Sequence, residues 1–238
     1  MYTKKKSCEE AMPELPMINK KLAITETPTG TIIDFYLPRV IQDLNEFIDF
    51  LRAVRNAKAD DTVAIHINCY GGDVDVAFNI IDVLNATEAN TVAYVEGLCA
   101  SAATMIMLAA KQVEITEHAH LMIHAWSSCS IGKWNEQLAE FEFSKDWFQR
   151  KFRNIYKNFL TEDEIDQVLA GTDMYLDAED TVKRINKARE RDIQRQEIVE
   201  SIAAKYQEAI NKELAIALKK FDETDTTKVQ KQRKRRSK

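Results

Sequence analysis

The sequence predicts an α/β fold with a largely parallel sheet. Short apolar segments rich in β-branched residues alternate with segments whose apolar residues recur every three or four positions, and this alternation is typical of strands joined by crossover helices. Three of the six glycines directly follow predicted strands, where the backbone must turn sharply. The chain has 238 residues, of which 45% are hydrophobic, so it can bury a substantial core.

The first predicted elements follow an N-terminal arm of residues 1–25, which opens with polar residues and contains Pro13 and Pro16. Residues Thr31–Leu37 are apolar and β-rich, which indicates a strand. From Ile41 to Val54 the apolar residues have helical spacing. The sequence therefore predicts a strand followed by a helix at the start of the folded domain.

The same unit recurs twice along the next part of the chain. Strands are predicted at Val63–Ile67 and Thr91–Val95, and helices at Val76–Leu84 and Ala102–Ala110. Two further short strands, Val113–Thr116 and Leu121–His124, complete the predicted set. In a sheet of this kind, the functional site usually lies at the C-terminal ends of the strands.

The C-terminal part of the sequence is predicted to be helical, at about residues 135–159 and 162–169. Asp177 is a predicted N-cap, and from residue 188 to about 221 apolar residues recur every four positions. This stripe must pack on the domain or on a sister subunit; its mixed charges do not suit a membrane-surface helix. We therefore expect a folded domain at residues 26–187, a helical extension at 188–222 and a basic, disordered tail at 223–238.

Charge and cysteine usage restrict the class of protein. With 30% charged residues, no apolar run near 18 residues and no basic-then-apolar opening, the sequence predicts a soluble cytoplasmic protein without a membrane span. The tail, Lys228–Lys238, holds seven of the 33 Lys and Arg residues and no acid, so it can bind nucleic acid or an acidic scaffold, although it has no aromatic residue for base stacking. The four cysteines (Cys8, Cys69, Cys99 and Cys129) form no CxxC pair, and we expect neither a metal nor another cofactor.

One segment carries the features of a nucleophile turn. In residues 97–103 (Gly-Leu-Cys-Ala-Ser-Ala-Ala), a predicted strand runs through small residues into a predicted helix, with Ser101 at the turn. A serine there projects its hydroxyl at a helix N-terminus, where free amides favour developing negative charge. The alternative is that Ser101 only caps a tightly packed helix. Cys99 is a weaker rival nucleophile, because its position should point it inward.

A serine nucleophile requires a base, and the chain offers four histidines. His66 lies inside a predicted strand, and His118 and His120 lie in a polar turn. His124 ends an apolar strand at the edge of the sheet where the topology places a site. Asp73 and Asp75 are candidates to orient a histidine, although at a helix start they more simply favour its dipole.

Four segments together resemble the signature segments of the ClpP-type serine peptidases, and in particular the version found in phage head-maturation proteases. They are residues 67–72 (Ile-Asn-Cys-Tyr-Gly-Gly), 97–102 (Gly-Leu-Cys-Ala-Ser-Ala), 121–124 (Leu-Met-Ile-His) and 173–178 (Asp-Met-Tyr-Leu-Asp-Ala). Their order and spacing match over about residues 31–182. The resemblance implies the ClpP/crotonase-like fold, with a repeated β-β-α spiral core, a helical handle and, here, an added C-terminal helical extension.

The resemblance also implies roles for individual residues. Ser101 becomes the nucleophile, His124 the general base and Asp173 the carboxylate that orients it. The backbone amides of Gly72 and Ala102 become the oxyanion hole. In that family the substrate pairs as an added strand, which points to Asp73, Val74 and Trp126 as residues that line the substrate site.

The partners implied by the resemblance are copies of the same chain and protein substrates. A handle after the catalytic histidine, here Gly132 and the helix from Asn135, lets rings of such peptidases stack, usually as heptamers or tetradecamers. Capsid or scaffold proteins are the expected substrates of a phage head-maturation enzyme, in the host cytoplasm or the procapsid, and an AAA+ unfoldase is a further candidate partner. Two alternatives stay open: a catalytically silent scaffold of the same fold, and an acyl-CoA hydratase or isomerase of the same superfold.

Overall fold

The computed structural model describes residues 21–127 and 131–236, and the chain divides into two compact units, Met1–Lys183 and Arg184–Lys238. The first unit contains a seven-stranded sheet. Its strands are β1 (Leu22–Thr27), β2 (Gly30–Tyr36), β3 (Thr62–Cys69), β4 (Asn90–Ala100), β5 (Gln112–Ile115), β6 (His120–Ile123) and β7 (Met174–Asp177). The helices of this unit are a 3₁₀ turn (Leu44–Phe47), α1 (Ile48–Asn56), α2 (Val74–Ala86), α3 (Ala102–Ala109), α4 (Trp134–Tyr156) and α5 (Glu162–Leu169).

The sheet has the strand order β1-β2-β3-β4-β6-β7, and β5 also pairs with β4. All pairs between β2 and β6 are parallel, whereas the outer strands β1 and β7 pair antiparallel. Strand β4 is long enough to pair with β5 through Val92–Val95 and then with β6 through Leu98–Ala100. The last residues of β4 and β6 consequently reach the same edge of the sheet.

The core forms where the helices bury their apolar faces. Helix α1 buries Phe50, Leu51 and Val54, and α2 buries a wider face that includes Ile80 and Leu84. Helix α3 is buried from Ala102 through Met107, which explains why its sequence is apolar on every side. Because α3 follows directly after β4, this buried helix fixes the turn that holds Ser101.

The predicted α/β fold class is confirmed, and two strands were missed. Strand β1 lies partly in the segment predicted as an arm, and pairs with β2 through a turn at Thr27–Gly30. Its four middle residues are exposed, so it lacks the apolar pattern of a core strand. Strand β7 has four residues and lies against β6 only, which is too short for a periodicity to be recognised. Residues 1–20 of the predicted arm lie outside the described residues.

The second unit belongs to one long helix, α6 (Ala178–Arg236). The Asp177 carboxylate accepts a hydrogen bond from the Asp180 N–H at 2.8 Å, which confirms Asp177 as the N-cap. The helix continues beyond residue 222, where the sequence predicted a disordered tail; no glycine or proline follows that would end it. The boundaries of the extension and tail stay predictions.

The apolar stripe of α6 is exposed in its described part. The side chains that form it are Ile198, Ile202, Tyr206, Ile210 and Leu214, each about half or more exposed. Its packing on a sister subunit or on the domain stays a prediction. Within residues 21–127 and 131–236, none of the helices has the length and apolarity that crossing a membrane requires.

Candidate active site

The backbone of Ser101 adopts an unusual conformation at the turn between β4 and α3. Its φ of 53° and ψ of −127° make it the one non-glycine residue with positive φ in the described part of the chain, and such a conformation persists only when its surroundings impose it. The Ser101 N–H donates to the Met122 carbonyl at 2.8 Å, and the Ser101 carbonyl accepts from the Thr104 N–H at 2.9 Å. Ser101 occupies the N-cap position of α3, but its hydroxyl makes no capping hydrogen bond to the helix.

The hydroxyl of Ser101 contacts a histidine instead. Ser101 Oγ lies 2.7 Å from Nε2 of His124. The two residues meet because β4 and β6 are parallel neighbours, and each residue directly follows the end of its strand. This is the separation expected for a nucleophile hydrogen-bonded to its base.

Asp173, the third residue of the expected triad, is exposed and directly precedes β7. Ile123 pairs with Met174 in the antiparallel β6-β7 ladder, so one further step of this register places Asp173 opposite His124. Within the described residues, no hydrogen bond or ion pair joins the two side chains. Opposed residues in such ladders have Cβ atoms about 4.5–5.5 Å apart, so the Asp173 rotamer decides whether its carboxylate reaches the imidazole.

Two backbone N–H groups are available beside Ser101. Gly72 lies against Ile41 in a short parallel bridge, in which the Gly71 carbonyl and the Asp73 N–H make the hydrogen bonds. Across residues 21–127 and 131–236, no hydrogen bond engages the N–H of Gly72 or of Ala102. These are the two amides expected to form an oxyanion hole, and Ala102 is the first residue of α3, where the helix dipole adds positive potential.

Both glycines of this segment are required by its geometry. Gly71 has a φ of 87° and Gly72 a φ of 142°, a region that disfavours side chains. A Cβ at Gly71 would lie 2.7 Å from Cβ of Ser101, and a Cβ at Gly72 would lie 2.0 Å from the Ile41 carbonyl oxygen. The loop therefore approaches Ser101 more closely than any residue with a side chain allows.

A cavity of about 290 Å³ opens at the Ser101–His124 pair. Helix α4 supplies one wall of it through Phe148, Phe152 and Tyr156. The remaining lining residues are Tyr70, Gly72, Val74, Ser101, Ala102, Met105, Met122, His124, Ala125, Trp126 and Ser127. The cavity is large enough for an apolar side chain of a substrate, and most of its wall is apolar or aromatic.

The expected substrate-lining residues occupy different places. Val74 and Trp126 line the cavity, whereas Asp73 does not. The Asp73 carboxylate accepts hydrogen bonds from the N–H groups of Asp75 and Val76 and so caps α2. Capping accounts for this residue without a substrate contact.

The rival candidates lie in environments that do not suit the chemistry. His66 stacks on Tyr36 and Tyr94 and contacts the carboxylates of Asp34 and Glu96 on the sheet. Cys99 is fully buried, and this burial raises the pKa of its thiol well above the usual value. A thiol held neutral in this way is a poor nucleophile.

Sequence reasoning missed two residues behind the nucleophile. The hydroxyl of Thr104 contacts both the Ser101 carbonyl and the hydroxyl of Tyr156. The four-residue spacing of Phe148, Phe152 and Tyr156 indicated a buried face of α4, but the partner of that face is a tertiary contact. Helix α4, which occupies the place expected for the handle, begins at Trp134, one residue before the expected Asn135.

Comparison with known proteins assigns the family. No curated protein matches the chain. A family model described as Clp protease matches residues 31–185, more than half of the chain and the whole span from β2 to the start of α6. Strands β3 to β7, all of β2 except Gly30, the Ser101 turn and the His124 strand end lie inside this match, and the chain therefore belongs to the Clp protease family of peptidases.

Proposed function

We propose that the protein is a serine endopeptidase in which Ser101 is the nucleophile, His124 the general base and Asp173 the residue that orients His124. The observation that carries this proposal is the 2.7 Å contact between Ser101 Oγ and His124 Nε2 at a strained turn. A structural serine needs neither the strain nor the histidine. Strain of this kind concentrates at functional sites.

The chemistry follows from the positions of these groups. Unprotonated Nε2 of His124 accepts the hydroxyl proton as Ser101 Oγ attacks the peptide carbonyl, and the N–H groups of Gly72 and Ala102 donate to the resulting oxyanion. His124 then donates its proton to the departing amine. Water attacks the acyl-enzyme with His124 again as base, which releases the second product and restores Ser101.

Asp173 acts in this scheme by accepting a hydrogen bond from Nδ1–H of His124. That bond selects the tautomer whose Nε2 is free to take a proton. A change of the Asp173 rotamer is proposed to bring its carboxylate to Nδ1, because Asp173 directly precedes Met174, which pairs with Ile123 in the β6-β7 ladder.

The substrate is proposed to bind as an extended peptide between the loop after Gly72 and the loop after His124. Val74 and Trp126 line the cavity from these two sides. An extended peptide between two loops can bind through its backbone, with one side chain in the cavity. Asp73 is proposed to support this loop as the cap of α2 rather than to contact the peptide.

For the biological setting, we propose a homo-oligomeric ring, with capsid or scaffold proteins as substrates during phage head maturation. Members of this family generally form rings, which supports the first part. The second part rests on the version of the four signature segments that this chain carries. Size-exclusion chromatography with light scattering tests the ring, and a monomer at micromolar concentration would contradict it.

The decisive test of the activity is intact mass after treatment with a fluorophosphonate, for the wild type and for Ser101→Ala. We expect one adduct on the wild type and none on the variant. The absence of an adduct on folded, assembled wild type would favour a catalytically silent scaffold. An adduct that persists on Ser101→Ala would place the nucleophile elsewhere.

A further inference from the structure

Two buried hydroxyl groups, joined by hydrogen bonds, connect helix α4 to the nucleophile turn. The Tyr156 hydroxyl lies 2.5 Å from Thr104 Oγ1, and Thr104 Oγ1 lies 2.6 Å from the Ser101 carbonyl oxygen. Thr104 is fully buried and Tyr156 is 1% exposed. Neither hydroxyl belongs to the Ser101–His124 pair or to the amides proposed for the oxyanion.

The direction of these hydrogen bonds follows from the number of protons. A carbonyl only accepts, so the single hydroxyl proton of Thr104 is donated to Ser101. Thr104 Oγ1 must then accept from the Tyr156 hydroxyl. Burial raises the pKa of Tyr156, so the phenol keeps the proton that it donates at neutral and alkaline pH.

The Ser101 carbonyl belongs to the same peptide plane as the Ala102 N–H. Across a trans peptide these two groups point in opposite directions. The carbonyl accepts from both the N–H and the hydroxyl of Thr104, on the α3 side of the turn. Fixing the carbonyl there directs the Ala102 N–H toward the cavity, where the oxyanion is proposed to form.

We propose that Thr104 and Tyr156 are positioning residues that hold the Ser101–Ala102 peptide plane in the orientation required of the oxyanion hole. This inference rests on the proposed peptidase function and deepens it. Thr104 holds the plane directly, and Tyr156 holds the Thr104 hydroxyl. Tyr156 also lines the cavity. A shift of α4 in the cavity wall would therefore move the Tyr156 hydroxyl and, through Thr104, the proposed oxyanion donor.

The test uses the full chain with the substitutions Thr104→Val, Thr104→Ser and Tyr156→Phe. Valine removes the hydroxyl at nearly constant shape, serine keeps it, and phenylalanine removes only the phenol. Thr181→Val is the matched control, because Thr181 is equally buried and its hydroxyl donates to the Asp177 carbonyl at 2.6 Å. The readouts are the rate of fluorophosphonate modification of Ser101 and kcat and KM for a short fluorogenic peptide amide with an apolar residue before the scissile bond.

We expect Thr104→Val to lower kcat and the modification rate about tenfold or more, with KM within about twofold of the wild type, since loss of a complete oxyanion donor costs about 10²–10³ in kcat. Thr104→Ser should restore most of the rate. Tyr156→Phe should cause a smaller fall, about threefold to tenfold, and should add nothing to Thr104→Val in the double variant. Thr181→Val should leave both rates unchanged.

Three outcomes would overturn the proposal. They are a Thr104→Val rate within about twofold of wild type, an effect on KM without one on kcat, and a Thr181→Val loss of equal size. If Thr104→Val fails to fold, the Tyr156→Phe variant alone tests the proposal. An unchanged rate in that variant would show that the Tyr156 hydroxyl does not contribute to positioning the Ser101–Ala102 peptide. A wild type that never reacts with the probe would overturn the peptidase function itself, whereas an active wild type with an unaffected Thr104→Val overturns only the positioning role.

Discussion

Ser101 holds a conformation that costs an ordinary residue of the order of 1–3 kcal/mol, and the residues around it show how that conformation is maintained. Met122 and Thr104 bind its two backbone polar groups, and the neighbouring Gly71 has no side chain to displace it. The strain is therefore imposed by contacts from a strand, a helix and a loop. Substitutions at single residues of this constellation test the role proposed for each.

The role proposed for Asp173 predicts a strong effect of Asp173→Asn. An amide at this position can present an N–H to Nδ1 of His124 and so favour the wrong tautomer, and the loss in a comparable triad is about 10⁴ in kcat. We expect the rate of fluorophosphonate modification at pH 7–8 to fall by at least about 10². Asp163→Asn, an exposed aspartate on α5, is the control. A rate equal to wild type in Asp173→Asn would show that another group, or none, orients His124.

Gly72→Ala is predicted to abolish the modification of Ser101 and to destabilise the fold. The new Cβ would lie 2.0 Å from the Ile41 carbonyl oxygen, and the backbone has a φ of 142°, so the loop must move away from the position proposed for the oxyanion donor. The melting temperature and the modification rate should both fall. Gly132→Ala, where the nearest heavy atom lies at 3.9 Å, should change neither. An active, stable Gly72→Ala protein would remove Gly72 from the oxyanion hole.

The buried thiols give a prediction about thiol reactivity at alkaline pH. Burial raises the pKa of Cys69 and raises that of Cys99 well above the usual value, so the reactive thiolate stays scarce as pH rises to 8. In a chain with Cys8→Ser and Cys129→Ser, we expect a disulfide reagent at pH 8 to find almost no reactive thiol in the native protein and both thiols after denaturation. Rapid reaction in the native state would mean that the strand ends open to solvent.

At the scale of elements, substitutions of Asp73 distinguish a capping role from a substrate contact. It accepts from two N–H groups of α2 at 2.8 and 3.0 Å. Asp73→Asn keeps an acceptor for these bonds and should retain stability and KM, whereas Asp73→Ala should lower the free energy of unfolding by about 1 kcal/mol. Chemical denaturation and peptide kinetics measure the two effects. A large rise of KM in Asp73→Asn, at unchanged stability, would restore the carboxylate as a substrate ligand.

The elements that sequence could predict are those with a periodic apolar face. Strand β3 and helices α2 and α3 were predicted to within two residues at each end, because each must bury a recognisable face, whereas β4 extends five residues beyond the predicted Thr91–Val95. Strands β1 and β7 were missed because one is mostly exposed and the other has four residues. Their existence depends on pairing with β2 and β6, and such pairing leaves no local signal in the sequence.

The candidate site likewise contains residues that the sequence predicts and contacts that it does not. Ser101 and His124 were predictable because each occupies a strand end next to a distinctive run of residues, and the structure brings them to 2.7 Å. The contact of Thr104 with Tyr156 spans 52 positions of the chain. It depends on how α4 packs against α3, which no local pattern specifies. The rotamer of Asp173 depends on side-chain packing at the exposed edge of the sheet and is equally hidden from sequence.

At the scale of the whole molecule, the charge of the chain is strongly segregated. Seven of its basic residues lie between Lys228 and Lys238, while Ser101, His124 and the cavity wall all lie in the first unit. None of the residues proposed for the chemistry belongs to the tail. The chemistry of the site should therefore not depend on the tail, whose charge suits docking to an acidic scaffold or nucleic acid.

A chain that ends at residue 222 is accordingly predicted to modify Ser101 and to cleave short peptides at rates within about twofold of the full chain. A second variant, with the seven tail Lys and Arg residues replaced by Gln, separates the effect of charge from that of length. Retained peptide cleavage together with lost binding to a polyanion column would assign the tail to docking. If both variants lost most of their peptidase activity, the tail would be required for the chemistry, and its assignment to docking alone would be wrong.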